Sequence, residues 1–278
     1  MQFRPYGDTG RVLSCLGVEI SSNIKTQHQY NLILERAFSR GINYIQFDYK
    51  MLRRFINLKE GLDKSKHENS VDIGVVVPSN IIKIKNILKK ITKQLDTPSI
   101  DFLIIQGKIS DSILINRFLT LLKKDSRVRH IVFCVSDVSK DIDKLEHMEG
   151  LDGVNFRGNA VLKALKKDYS LNIEKGTSVH NIYSGDKYKA ENSLIFISKA
   201  LANSDIHLVT HRFINSREVD FVVDYIEKEE SLDDRVLTDE DILSHVKESE
   251  YYEVLKGQKS MFKKIKSIFR KKRSLINV

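Results

Sequence analysis

Of the 278 residues, two are cysteine, three are proline and none is tryptophan. Two thiols cannot build a disulfide framework. Cys15 and Cys134 each lie in an apolar, strand-like stretch and read as reduced core side chains of a cytosolic protein. With so few prolines there is no Pro-rich linker to part the chain into separate bodies. No apolar run approaches the roughly 18 residues of a membrane span, and no charged-then-apolar leader is present, so a cytoplasmic chain is expected. A G-x-G-x-x-G turn, a P-loop, a nucleophile elbow and an aromatic platform for RNA are all missing. The eight histidines show no His-x-His or His-Glu-x-x-His spacing, so no metal site is expected. His207 and His211, four apart across a strand end, read as a surface and a loop residue. Cys134 and the distant His180 are too easily paired by chance to define a nucleophile, and a core thiol is the expectation for Cys134.

What the chain does have is 41% hydrophobic residues, enough for a full-sized core. β-Branched runs alternate with amphipathic stretches. Strands are expected at Leu16–Ile20, Ile42–Phe47, Val71–Val77, Asp101–Gln106, His130–Val135, Gly153–Phe156, Leu171–Glu174 and Ile206–Thr210. Helices are expected between them, for instance over Gln27–Ser39, Ile81–Leu95 and Ser112–Leu122, with a last one at Ser216–Glu227. Eight βα units in about 225 residues point to a (β/α)8 TIM barrel in the α/β class rather than an open sheet. The expected organisation is a barrel over 1–230, an acidic helical extension over 231–254 with Thr238 as an N-cap, and a basic amphipathic tail over 255–278.

Charge is unevenly placed. From Leu255 onward there are nine basic residues and no acidic one, which accounts for the whole formal excess of +9 and leaves a neutral body. At 100° per residue, Met261, Phe262, Ile265, Ile268 and Phe269 share an arc of about 120°, and Lys263, Lys264, Lys266 and Arg270 lie outside it. Three readings stay open for this stretch: a helix packed on the barrel, one lying on an anionic membrane surface, or one docked on a protein partner. Nucleic acid is not expected, because the body adds no basic face that the sequence reveals.

Several fragments carry a resemblance. They are Gly7-Asp8-Thr9-Gly10-Arg11-Val12-Leu13-Ser14-Cys15-Leu16-Gly17, Gly41-Ile42-Asn43-Tyr44-Ile45, Ser99-Ile100-Asp101-Phe102-Leu103, Val128-Arg129-His130-Ile131 with Val135-Ser136, and Ala200-Leu201-Ala202-Asn203-Ser204-Asp205-Ile206. In this order and at this spacing the chain resembles the aldo-keto reductase family over roughly residues 1–245. The resemblance implies an N-terminal β-hairpin closing the barrel floor, with the Thr9-Gly10 pair in its turn. It also implies NAD(P)H-dependent carbonyl reduction by an Asp, a Tyr, a Lys and a His. Those four positions fall on Gln46, Met51, Val76 and Gln106, so all four roles are vacated. The glycine beside the nicotinamide becomes Glu19, and a phosphate-turn glycine becomes Arg212. Ser136, Asn155 and Asn159 match the family's amide-binding positions in type, with Asp137 in place of an asparagine, and with Arg212 form a residual cofactor-site candidate.

The expectation is therefore an aldo-keto-reductase-like pseudoenzyme: a scaffold, regulatory or auxiliary subunit with no cofactor, held near a membrane or partner by its tail. The alternative is an NAD(P)H-dependent oxidoreductase that reduces a carbonyl with displaced residues and binds NADP.

Overall fold

The computed structural model describes residues 1–20, 24–53, 57–65, 71–107, 112–135, 145, 148–157, 175–181 and 190–230. Two short strands, β1 (Phe3–Pro5) and β2 (Val12–Ser14), pair antiparallel ahead of the main body. There follow β3 (Leu16–Ile20), α1 (Gln27–Ser39), β4 (Tyr44–Asp48), α2 (Leu58–Ser65), β5 (Asp72–Pro78), α3 (Ile81–Leu95), β6 (Ile100–Gln106), α4 (Ser112–Lys123) and β7 (Val128–Val135). The remaining elements are β8 (Gly153–Phe156), β9 (Gly176–His180), α5 (Ala190–Leu201), β10 (Leu208–His211) and α6 (Ser216–Glu230). Strands β3 to β10 form a closed parallel barrel in chain order, with β10 returning to pair with β3. This is the (β/α)8 barrel that the alternating pattern predicts.

Local chemistry starts and stops the helices where the sequence expects. Thr26 Oγ1 accepts Gln29 N–H at 3.1 Å ahead of α1, and Asn80 Oδ1 accepts Lys83 N–H at 3.0 Å ahead of α3. Beyond α1, Gly41 takes the left-handed conformation at φ 81°, which lets the chain turn straight into β4.

Alternation along each strand makes two cores. Facing outward against the helices are Ile45, Phe47, Val75, Val77, Leu103, Ile105, Ile131 and Phe133, packed with Ile33, Leu34, Ile84, Leu88 and Ile91. Inside the barrel lie Tyr6, Leu13, Tyr44, Val76, Phe102, Ile104, Val132, Cys134 and Leu208. The β1–β2 hairpin closes the floor, with Gly10 in its turn at φ 69°. Tyr6 inserts from below, and a Cβ on Gly176 or Gly153 would come within 2.2 Å or 2.9 Å of its side chain. Those two glycines are therefore the space the plug occupies. Arg4 fastens the hairpin to the far end of the chain by donating to the Leu201 and Ile206 carbonyls at 2.7 and 2.6 Å.

Two expectations are corrected. The seventh barrel strand is Gly176–His180, whereas the stretch Leu171–Glu174 lies outside the described residues. The true strand alternates Gly176, Ser178 and His180 toward an interior filled by Tyr6 and by polar partners, so it lacks the apolar run that marks the others. His211 is not a loop residue. It is the last residue of β10 and fully buried, with Nε2 2.8 Å from Glu218 Oε1 and Nδ1 3.1 Å from Asn181 Nδ2. The expected acidic extension over 231–254, including Thr238, and the basic tail over 255–278 lie outside the described residues.

Candidate functional site at the barrel mouth

In this architecture the C-terminal ends of the strands form the working face. Register brings polar side chains together there: Glu19 pairs with Gln46 across β3–β4, Asn155 with Ser178 across β8–β9, and Thr210 with His180 across β10–β9. Arg157 and Arg212 each follow a strand end by one residue and join the group.

The centre of the group is the carboxylate of Glu19, only 6% exposed. Its Oε1 accepts from Arg212 Nη2 at 2.7 Å and Nε at 3.1 Å. Its Oε2 accepts from Gln46 Nε2 at 3.1 Å. His180 Nδ1 lies 2.6 Å and Arg157 Nη2 3.5 Å from the same oxygen, and both nitrogens are buried; the His180 contact is of hydrogen-bond length, whereas Arg157 Nη2 makes no aligned bond. The Arg157 contact is ionic, without the directionality of a full bond. A second ring supports the first. Tyr44 OH donates to Gln46 Oε1 at 3.3 Å, Gln46 Nε2 reaches Thr210 Oγ1 at 3.4 Å, Arg157 Nε donates to Asn155 Oδ1 at 3.2 Å, and Asn155 Nδ2 donates to Ser178 Oγ at 2.8 Å.

Protonation follows from these contacts. Burial pushes the Glu19 carboxyl up, but the ring of His180, Arg157 and Arg212 more than reverses this and holds it well below the usual range. Burial lowers His180, and the two arginines lower it further against the pull of Glu19. The two guanidiniums are always charged, so their pull on Glu19 does not depend on the state of His180. Burial raises the Cys134 thiol to about 11 and drives the Tyr44 phenol well above its ordinary value. The mouth thus holds a fixed carboxylate amid fixed cations, with thiol and phenol protonated near neutral pH.

The four positions matched to catalytic roles are not brought together. Gln46 is fully buried in the ring just described. Met51 packs in the outer core, Val76 points into the barrel, and Gln106 stands exposed at the end of β6. Of the cofactor-site candidates, Asn155 and Arg212 are present at the mouth but engaged with Ser178, Arg157 and Glu19. Ser136 and Asn159 lie outside the described residues, as do Met261, Phe262, Lys263, Lys264, Ile265, Lys266, Ile268, Phe269 and Arg270. The resemblance places a bare glycine at position 19 beside a nicotinamide. Here a locked carboxylate projects into that place and Arg212 is bound across it, so the described residues do not fit that group. Sequence reasoning missed Arg157 and His180 as partners of Glu19. The usable signal was the charge in Leu-Gly-Val-Glu-Ile, which alternation puts on the inner face with Gly17. Among the described residues there is no cluster of three or more His, Cys, Asp or Glu able to hold a metal ion. Nor is any described helix long and apolar enough to cross a membrane.

Elsewhere on the surface, and against the expectation that the body adds no basic face, α3 turns Lys83, Lys85, Lys89, Lys90 and Lys93 outward, with Ile82 71% exposed among them. At its flank a groove of about 420 Å3 is lined by Tyr49, Leu52, Ile87, Lys90, Lys93 and Gln94.

No protein-family model matches the chain, and no curated protein sequence matches it. Solved structures do match. One described as an aldo-keto reductase from Pseudomonas aeruginosa is 17% identical and covers 81% of this chain and 95% of its own, with a TM-score of 0.63. An aldo-keto reductase from Bacillus halodurans in its holo form is 14% identical and covers 87% of this chain and 94% of its own, with a TM-score of 0.64. The same enzyme in its apo form gives 0.63. At such identity the likeness is one of architecture: the chain has the fold of the aldo-keto reductases, a closed (β/α)8 barrel with a hairpin across its floor.

Proposed function

We propose that this chain is a non-catalytic, aldo-keto-reductase-like barrel that acts as a scaffold, regulatory or auxiliary subunit. The observation that carries this reading is Gln46, a neutral amide fully buried where the resemblance calls for an aspartate, with its nitrogen on Glu19 and its oxygen on the Tyr44 hydroxyl. A neutral amide cannot tune a neighbour's acidity as a carboxylate does. Met51, Val76 and Gln106 have no proton to exchange near neutral pH. At the mouth, Cys134 and Tyr44 are held protonated and Glu19 ionised, so near neutral pH the first two offer no base and the third offers no acid.

The subunit role includes docking. The tail over 255–278 combines nine cations with one apolar arc, and the lysine face of α3 adds positive charge on the barrel itself. Both suit an anionic surface, either a membrane leaflet or an acidic partner, with the protein cytoplasmic and peripheral.

The test is turnover. With NADPH or NADH and a broad panel of aldehydes, the purified protein gives no carbonyl reduction above buffer, since each absent acid–base role is worth about 10²–10⁴-fold. Cofactor-dependent turnover that survives stringent purification overturns the reading. The second reading, an NAD(P)H-dependent oxidoreductase with displaced residues, draws on the likeness to an aldo-keto reductase solved in a holo form. Saturable NADPH binding in a fluorescence titration supports that alternative instead.

A further inference from the structure

The ring around Glu19 has the form of a receptor. Its members come from four separated parts of the barrel: Gln46 from β4, Arg157 beyond β8, His180 from β9 and Arg212 beyond β10. All aim at one carboxylate, with Arg212 on one oxygen and Gln46, His180 and Arg157 on the other. Two guanidiniums and an amide converging on one buried position are the elements with which proteins bind oxyanions. Here the oxyanion is part of the chain.

We propose that the barrel mouth is a carboxylate-binding site occupied by the protein's own Glu19, which keeps small external oxyanions out. Three observations support this. First, the ring offers more than Glu19 takes: Arg157 Nη2 is buried 3.5 Å from the carboxylate without an aligned bond. A buried polar atom left unmatched is uncommon, and here the mismatch has a cause. The carboxylate is tethered to β3 and cannot turn to meet every donor, as a free anion could. Second, two permanent cations face this single acid within 4 Å, so removing it would leave a cavity lined by unpaired guanidiniums, the condition under which an anion enters. Third, the supporting contacts of Gln46 with Tyr44 and of Arg157 with Asn155 fix the donors from behind, so the ring outlasts loss of its occupant. The inference deepens the non-catalytic reading, because a self-filled mouth has no room for the anionic part of a cofactor or substrate.

The test is chemical rescue in the full-length protein. Glu19→Ala should lower the melting temperature, and sodium formate should restore more than half of the loss along a saturable curve. Sodium chloride at equal ionic strength and neutral formamide should restore little. The wild type should respond to formate no more than to chloride, because its site is filled. Glu19→Gln fills the space with a neutral side chain and should show no formate-specific gain. A formate effect equal in wild type and Glu19→Ala, an effect matched by chloride, or no rescue at all overturns the proposal. A Glu19→Ala protein that remains insoluble with formate present counts against it equally. The result is separable from the turnover assay: reductase activity would defeat the non-catalytic reading without touching rescue, and failed rescue would defeat the self-filled site without creating activity.

Discussion

Gln46 has one amide nitrogen to give and places it between Glu19 Oε2 and Thr210 Oγ1, while its oxygen takes the Tyr44 hydroxyl. A hydrogen bond to a buried charge contributes about 1.5–3 kcal/mol. Gln46→Ala is thus expected to lower unfolding free energy by an amount in that range, read from urea denaturation at neutral pH. The linked acid has a definite sign. The folded-state value of Glu19 lies well below its ordinary one, so its contribution is fully present above about pH 4.3 and is lost as pH falls through the folded value. Urea midpoints of the wild type should hold level down to that pH and then drop. Glu19→Gln should start lower and lose less on acidification, and an unchanged acid profile would remove Glu19 from the account. Legibility differed sharply between the two residues. Gln46 could be found because it sits five residues past Gly41 in a recognisable strand entry. The role of Glu19 depends on partners 138, 161 and 193 positions away at Arg157, His180 and Arg212, a conjunction that exists only once eight strands fall into register.

At the scale of elements, periodicity served well where one face of a segment is apolar. The bounds of α1, α3, β3 and β8 match their sequence reading, because each buries a continuous row of side chains against the barrel or its helices. It failed at β9, whose inner face carries Gly176, Ser178 and His180 and so shows no apolar alternation. That strand is shaped by the floor plug rather than by ordinary packing. Gly176→Ala would push a methyl to 2.2 Å from the Tyr6 ring, and overpacking of this kind costs about 1–3 kcal/mol. In a Tyr6→Ala background, where the ring is gone, the same glycine change should cost markedly less. Thermal or urea unfolding of the four proteins gives the coupling directly, and strict additivity would mean the plug does not set the need for glycine.

For the molecule as a whole, the tail and the lysine face of α3 make one further expectation. Each basic residue near an anionic leaflet contributes about 1 kcal/mol, and salt screens that attraction over a Debye length of about 8–10 Å. Full-length protein should sediment with anionic vesicles and release as salt rises. A chain lacking residues 257–278 should keep its melting temperature and lose most of that binding. If it loses its fold instead, the tail belongs to the core. If the full-length protein ignores such vesicles at low salt, an acidic protein partner becomes the better reading. The ring of strands itself has a consequence for how the chain comes to be. Because β10 pairs with β3, the sheet stays open until nearly two hundred further residues have followed the first barrel strand from the ribosome. Throughout that interval the nascent protein presents two unsatisfied strand edges, the kind of surface that recruits a second chain. Synthesis, rather than the finished barrel, is then its vulnerable moment. A slowed or truncated message ending before Leu208 would yield aggregates or chaperone clients, however stable the closed ring.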